Sequence, residues 1–184
     1  LDRPFNPLTL ALGAQASFVA RSIDRETKHM QAMIERSYKH KGTSFLEIYQ
    51  NCNIFNDGAF APMTDKESKA DNVLWLDNGQ PMLFGIKKNK GIHMDGNIPQ
   101  VVELNGKFST ADIMVHDETD YVIASMLANF TYQPDFPDPI GVLYSIDAPS
   151  YDDLVTKQLA KAIEIRGTGS IKDLLNSGDT WVVK

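Results

Sequence analysis

The sequence predicts an α/β protein whose first part is a parallel βαβ unit and whose second part mixes strands and helices less regularly. Two apolar segments rich in strand-forming residues, 17–21 and 43–49, lie on either side of an amphipathic segment with helical spacing. Because the connections between them are tight, the two strands are predicted to be parallel, with a right-handed crossover through the helix. From residue 57 onward, short apolar runs alternate with turn-forming residues, which indicates a mixed region.

The first predicted element is a short helix before the βαβ unit. Asn6 is a favourable N-cap residue, and Pro7 suits the first helical position because its missing N–H is not needed there. Gly13 is typical of the residue at which a helix ends. These signals predict a helix over residues 7–13.

A longer helix is predicted between the two strands. Ser22 or Asp24 can cap its start, and Gly42 can end it. Its apolar side chains recur at the spacing of one helical face, and they are Met30, Met33, Ile34 and Tyr38. This stripe is the predicted buried face of the helix.

A turn-rich segment, residues 57–72, is predicted to be a surface loop that separates the βαβ unit from the second part. After it, the apolar runs 73–76 and 82–84 flank Asn78-Gly79, a strong signal for a β-hairpin. Residues 86–98 are predicted to form a further loop.

The remaining elements are predicted from short apolar runs and from N-cap residues. Strands are expected at residues 101–104, 113–116, 140–144 and 178–183, and helices at 120–129, after Ser150 and at 171–175. The N-cap residues of these helices are Asp120, Ser150 and Ser170. The long helix after Ser150 is predicted to bury one side, formed by Leu154, Leu159, Ile163 and Ile165.

Composition excludes several classes of function. The chain has 184 residues, of which 42% are hydrophobic, enough for one domain with a smaller appendage. Its 18 Lys and Arg against 24 Asp and Glu leave a net charge of −6, which argues against a nucleic-acid partner. No apolar run approaches the roughly 18–20 residues of a membrane span, and the start lacks the pattern of a signal peptide. Because the chain starts at Leu1 rather than Met, we expect it to be a piece of a longer polypeptide.

Cys52 is the strongest candidate for chemistry. It follows the second predicted strand by three residues, at the end of a parallel strand where ligand-binding groups collect. Its neighbours are unusually polar, and they are Gln50, Asn51, Asn53 and Asn56. The alternative is a buried thiol with a packing role, since free cysteines are among the most buried residues. As the single cysteine, it excludes an internal disulfide, favours a reducing, cytoplasmic setting, and cannot hold a metal without other ligands.

The other candidates are weaker. His116 precedes two acidic residues at a strand end, which fits a hydrogen-bonded turn better than a catalytic group. The remaining histidines are His29, His40 and His93, and no Cys–His pair stands at the spacing of a known motif. Residues 167–170 resemble a phosphate-binding loop but lack the full motif, so a helix cap is the better interpretation.

A family resemblance adds what spacing does not supply. The segments that carry it are residues 5–8, 16–21 and above all 44–56, with supporting segments at 113–118, 139–144, 149–153 and 177–181. They resemble the beta subunit of 2-oxoacid:ferredoxin oxidoreductases, in particular the longer 2-oxoglutarate-type subunits. The resemblance extends over nearly the whole chain but over only the C-terminal part of such a subunit. It implies a thiamine-diphosphate-binding domain over residues 1–57 and a mixed C-terminal extension over 58–184.

The resemblance implies three cofactors for the whole subunit: thiamine diphosphate, magnesium and a 4Fe–4S cluster. The family's Gly-Asp-Gly motif for the diphosphate does not occur in this sequence. Three of the family's cluster cysteines would also lie before this chain, whereas Cys52 matches the position of the fourth. We therefore predict Cys52 as a cluster ligand and assign no catalytic residue to this chain.

The implied activity is the coenzyme A-dependent oxidative decarboxylation of a 2-oxoacid, with 2-oxoglutarate the expected substrate. Electrons would pass through the cluster to ferredoxin, and an alpha/gamma subunit would complete the enzyme. This chain alone is expected to be inactive. It is also expected to self-associate, because a divided parallel sheet leaves a free edge.

Two alternatives remain open at this point. In the first, the chain serves only as a docking or assembly module, so that exposed apolar residues around Trp75 and Phe84 would matter and Cys52 would not. A thiamine enzyme without iron, using NAD or lipoamide, is disfavoured by the sequence around Cys52.

Overall fold

The computed structural model describes residues 4–183. The helices are α1 (Pro7–Gly13), α2 (Thr27–Lys39), α3 (Ala61–Thr64), α4 (Lys69–Asn72), α5 (Tyr121–Ala128), α6 (Tyr151–Arg166) and α7 (Ile171–Leu175). The strands are β1 (Phe18–Ile23), β2 (Ser44–Tyr49), β3 (Val73–Leu76), β4 (Leu83–Phe84), β5 (Lys90–Asp95), β6 (Ile98–Glu103) and β7 (Asp138–Ser145). The chain divides between Ala148 and Pro149 into two compact units.

The main sheet has four strands in the order β2-β1-β7-β3. β1 and β2 are parallel and joined through α2, which confirms the predicted βαβ unit. β7 runs antiparallel to β1 and parallel to β3, so the sheet is mixed. The α/β fold class is therefore confirmed. Strands from both sides of residue 57 share this sheet, while the domain boundary implied there by the family resemblance stays a prediction.

α1 begins and ends as the sequence predicts. The Asn6 side chain accepts a hydrogen bond from the backbone N–H of Thr9 at 3.2 Å, which satisfies one of the free donors of the first turn. The same side chain donates to the carbonyl oxygen of Ala128 at 2.7 Å and so connects α1 to the end of α5. Leu8 and Leu12 are buried in the largest core cluster.

α2 starts later than predicted. Its N-cap position is Glu26, without a side-chain cap, because Ser22 lies inside β1 and a turn at residues 24–26 separates strand from helix. Of the predicted apolar stripe, Met33 is buried, whereas Ile34 and Tyr38 are exposed. The spacing of apolar residues correctly identifies a helix. Among the described residues, however, only the part of its apolar face around Met33 is buried, against β1 and β7.

The predicted hairpin over residues 73–84 is wrong in its pairing. β3 pairs with β7 in the main sheet, whereas β4 pairs with β5 in a separate antiparallel sheet of order β4-β5-β6. The hairpin of this region is formed by β5 and β6 instead, within and just after the segment predicted as a loop. The predicted strand 113–116 is reduced to an isolated bridge between Val115 and Pro81. A turn signal marks a change of direction, but the partner strand is chosen by tertiary packing.

The predicted helix at 120–129 is confirmed as α5, and the predicted strand at 140–144 as β7. Asp120 caps α5 by accepting hydrogen bonds from the backbone N–H groups of Val122 and Ile123. One face of α5 packs into the core cluster that also contains α1.

The unit from Pro149 onward contains α6 and α7. Both predicted caps are confirmed, since Ser150 accepts from the Asp153 N–H at 3.1 Å and Ser170 accepts from the Asp173 N–H at 3.0 Å. The predicted burial is wrong: the exposed residues include Leu154, Leu159, Ile163 and Ile165. The predicted strand at 178–183 is also wrong, since the described residues there form no strand. Within residues 4–183, no helix has the length and apolar character needed to cross a membrane.

Candidate functional site at the carboxyl edge of β1 and β2

The parallel pairing of β1 and β2 brings two chain segments to the same edge of the sheet. Ile23 is in register with Tyr49, so the residues that follow each strand lie next to each other. After β2 the chain continues into residues 50–58, which we call the Cys52 loop. This edge is where parallel-sheet proteins bind ligands, and the predicted placement of Cys52 beyond the second strand is confirmed.

Cys52 is exposed, so the packing role considered from the sequence does not describe it. The loop turns sharply around it: Cys52 and Asn56 form an antiparallel bridge, and the Asn56 N–H donates to the Cys52 carbonyl oxygen at 3.0 Å. Hydrogen bonding from the backbone N–H of Phe55, followed by that of Ile54, holds the pKa of the Cys52 thiol below its ordinary value. The thiolate, the form of cysteine that binds metals, is therefore reached more easily at Cys52 than at an ordinary cysteine.

Two of the polar residues noted around Cys52, Asn51 and Asn53, belong to a hydrogen-bonded network. The Asn51 carboxamide contacts Asn53, Asp57 and the backbone of Gly58. A cavity of about 190 Å³ lies beside this network, bounded on the β1 side by Asp24 and Arg25. Its walls are Asp24, Arg25, Asn51, Asp57, Gly58, Phe60, Ala61, Thr64 and Asp65.

A buried arginine fixes this edge of the sheet. Arg21 of β1 donates from Nε to Glu47 Oε2 at 2.6 Å and from Nη1 to Thr131 Oγ1 at 2.8 Å. Its Nη1 also lies 3.3 Å from Asp138 Oδ1, and its guanidinium carbon lies 4.6 Å from the centre of the Tyr49 ring. One side chain thus connects β1, β2, β7 and the segment after α5. Sequence reasoning missed it, although a single arginine inside the apolar run FVARSI was an available signal.

Tyr49 extends this network toward the Cys52 loop. Its ring stacks on Phe60, with 4.5 Å between ring centres. Burial raises the pKa of Tyr49, and it raises the pKa of Asp138 despite the nearby Arg21 guanidinium. Phe60 lines the cavity described above and also a larger one of about 550 Å³, whose walls include Glu47, Tyr49, Thr131 and Asp138.

The other candidate residues from the sequence lie apart from the Cys52 loop and from the hydrogen bonds of Arg21. His116 is buried, and its Nε2 donates to the Val142 carbonyl oxygen at 2.8 Å, as expected for a hydrogen-bonded structural histidine. Its Nδ1 has no hydrogen-bond partner among the described residues. Residues 167–170 lead into α7 as a helix cap. Across residues 4–183, no three His, Cys, Asp or Glu side chains gather closely enough to hold a metal ion.

Comparison with known proteins addresses the predicted resemblance. No protein-family model matches the chain. The 2-oxoglutarate oxidoreductase subunit KorB of Mycobacterium tuberculosis is 33% identical over 187 aligned positions, which cover 100% of this chain and 50% of KorB. The 2-oxoacid:ferredoxin oxidoreductase subunit beta of Saccharolobus solfataricus is 33% identical over 57 residues, covering 31% of this chain and 19% of that protein.

A solved structure has the same fold. The 2-oxoglutarate:ferredoxin oxidoreductase from Magnetococcus marinus, with 2-oxoglutarate, coenzyme A and succinyl-CoA bound, aligns with a TM-score of 0.56 and 22% identity. The alignment covers 96% of this chain and 45% of that one. This chain thus spans about half the length of KorB and of the Magnetococcus marinus protein. The predicted resemblance is confirmed: along its whole length the chain is similar to half of a 2-oxoglutarate oxidoreductase beta subunit, as expected for the C-terminal part.

Proposed function

We propose that this chain is part of the beta subunit of a 2-oxoacid:ferredoxin oxidoreductase and that Cys52 is one ligand of its 4Fe–4S cluster. The observation that carries the proposal is the similarity to KorB over the full chain. The names of that relative and of the structural neighbour support 2-oxoglutarate as the substrate, and coenzyme A in the neighbour supports an acyl-CoA product. Ferredoxin is the proposed electron acceptor, an alpha/gamma subunit the proposed partner, and the cytoplasm the proposed location.

The surroundings of Cys52 suit a cluster ligand. A thiolate bound to iron must be deprotonated and reachable; Cys52 is exposed, and hydrogen bonding from the loop backbone lowers the pKa of its thiol. Such N–H groups also influence the reduction potential of an iron–sulfur cluster. Since residues 4–183 offer no further ligands grouped around Cys52, the proposal requires the other three from outside this chain.

The chain's contribution is therefore structural and electronic. When bound, thiamine diphosphate with magnesium would supply the carbanion chemistry and the cluster would carry electrons. The βαβ unit supplies the sheet edge from which the Cys52 loop continues, and the ion pairs of Arg21 with Glu47 and Asp138 stabilise that edge. Because the proposed thiamine site and three cluster ligands lie elsewhere, we expect the isolated chain to be catalytically inactive.

The proposal is tested by replacing Cys52 in the cluster-containing protein. Cys52→Ser and Cys52→Ala should lose the visible absorbance of the cluster and substrate-dependent ferredoxin reduction. Ile98→Ser is a matched control, since it changes an exposed isoleucine of β6, outside the Cys52 loop, and keeps the thiol. Full retention of absorbance and ferredoxin reduction in the cysteine variants would refute the ligand assignment.

A second candidate function, subunit docking, is favoured by exposed apolar side chains of the C-terminal unit. These include Leu154, Leu159, Ile163, Ile165, Ile171, Leu174, Leu175 and Trp181. Helices of this composition need a partner to bury their apolar side chains. The surface named from the sequence around Trp75 and Phe84 is wrong, because Phe84 is buried and Trp75 packs edge-on against His29.

Self-association of the chain is a consequence of the same features. β2 is at the edge of the main sheet, with β1 as its strand neighbour among the described residues. An unpaired edge strand offers free N–H and C=O groups to another chain. Light scattering should report dimers or larger species whose mass falls on dilution, and a monomer at all concentrations would contradict this expectation.

A further inference from the structure

The Cys52 loop is not held by apolar packing. Ile54 and Phe55, at its tip, are 84% and 89% exposed. All residues from Cys52 to Gly58 are exposed, so the loop buries no side chain of its own. Its conformation must therefore be fixed by hydrogen bonds.

Asn51 provides three such hydrogen bonds from one side chain. Its Nδ2 donates to Asn53 Oδ1 at 2.8 Å and to Asp57 Oδ1 at 2.9 Å. Its Oδ1 accepts from the backbone N–H of Gly58 at 2.9 Å. Both amide hydrogens and the carbonyl oxygen are thus used, and their partners lie on both sides of the loop tip.

We infer that Asn51 is the positioning residue of the Cys52 loop, and that its carboxamide sets the direction in which the Cys52 sulfur is presented to the proposed cluster. This inference rests on the proposed function of Cys52 as a cluster ligand. Asn51 joins the first residues of the loop to the last, so the turn between Cys52 and Asn56 is closed at its base. Opening that base would change the backbone conformation between Cys52 and Asn56, and with it the position of the Cys52 sulfur.

Two kinds of substitution at this position separate the hydrogen bonds from the bulk of the side chain. Asn51→Ala removes all three hydrogen bonds. Asn51→Asp removes both donors and places a second carboxylate against Asp57, which should push the two segments apart. The double variant Asn51→Asp/Asp57→Asn restores the pair with the donor on the other side and leaves the net charge unchanged.

The first test measures amide hydrogen exchange in this chain, without any cluster. In Asn51→Ala the amides of Gly58 and Asn56 should exchange about ten-fold faster, because the loop loses its hydrogen bonds while β1 keeps its protection. In Asn51→Asp the Asn56 amide should also exchange faster, and the double variant should return it to within about three-fold of the original rate. Asn105→Ala, in an exposed turn elsewhere, is the matched control and should leave the loop unchanged.

The second test measures the reduction potential and the electron paramagnetic resonance spectrum of the cluster in the cluster-containing protein. Both should shift in Asn51→Ala and Asn51→Asp, and both should return in the double variant. An unchanged exchange rate at Gly58 in Asn51→Ala would overturn the inference, and so would an unchanged potential in a loop shown to be loosened. If Cys52→Ala keeps its cluster, the proposed function fails instead, while the exchange measurements still report on Asn51.

Discussion

The two units of this chain contain similar helices but differ in what those helices bury. In the unit that ends at Ala148, α1 and α5 pack into a core, and leucines such as Leu143 are fully buried. In the unit that begins at Pro149, α6 is the longest helix described, yet Leu159 is 58% exposed. Helix formation depends on local signals, whereas burial depends on a partner surface, so the same kind of sequence has two different outcomes.

The two units also differ in whether their arginine side chains are buried. In the first unit, Arg21 is buried and its charge is compensated by Glu47 and Asp138. In the second unit, Arg166 is exposed in the last turn of α6, where its positive charge interacts favourably with the helix dipole. Matched substitutions in the two units should therefore differ in their effects on stability.

The largest difference between the two units, measured as a change in the free energy of unfolding, is expected when an arginine is replaced. Arg21→Ala should lower the free energy of unfolding by about 3–5 kcal/mol, because it leaves the Glu47 and Asp138 carboxylates without their buried partner. Arg166→Ala should change it by less than about 0.5 kcal/mol. Urea denaturation of both variants measures this, and equal effects would show that the buried network contributes no more than a surface charge.

The next largest difference is expected for leucine. Leu143→Ala should cost about 3 kcal/mol, since it leaves a cavity beside β7 in the core. Leu159→Ala should have almost no effect on the unfolding of the monomeric chain, because its side chain is already exposed. A cost above about 1 kcal/mol for Leu159→Ala would mean that α6 packs on a surface in solution.

A pH dependence is expected from the first unit alone, since all four histidines precede Ala148. Desolvation lowers the pKa of buried His116, and this outweighs the opposing effect of its hydrogen bond and of Glu118. The unfolded chain therefore takes up protons first as the pH falls below about 6.5, and stability decreases from there downward.

The expected slope is at most about 1.4 kcal/mol per pH unit for this one group. His116→Gln retains a donor for the Val142 carbonyl oxygen and should reduce the slope between pH 7 and 5, leaving the part due to His29 and His40, whose pKa values burial also lowers. His93→Gln, at a partly exposed position, is the control. If both variants keep the slope of the original protein, another group is responsible for it.

The smallest difference is expected for the N-caps. Asp120→Ala should cost about 1 kcal/mol of global stability, because α5 is part of the core. Ser150→Ala should reduce helicity and speed amide exchange only within α6, leaving the unfolding midpoint unchanged. A shift of the midpoint by Ser150→Ala would indicate that the two units unfold together.

Much of the secondary structure could be predicted from the sequence because its signals are local. The N-caps Asn6, Asp120 and Ser150 were identified correctly, since capping involves only the next three residues. The parallel pairing of β1 and β2 also followed from local spacing, because a helix between two strands leaves few alternatives. Cys52 was placed at the end of a strand for the same reason.

The tertiary structure alone decided which strands pair, which faces are covered and which polar groups meet. β3 pairs with β7, more than 60 residues away in sequence, and no signal in either strand specifies the other. Arg21 meets Thr131 and Asp138 only because β7 lies beside β1. Asn51 was recognised as a polar neighbour of Cys52, but its three hydrogen bonds depend on how the loop closes. Sequence determines local conformation through neighbouring residues, whereas pairing and burial require groups that folding alone brings together.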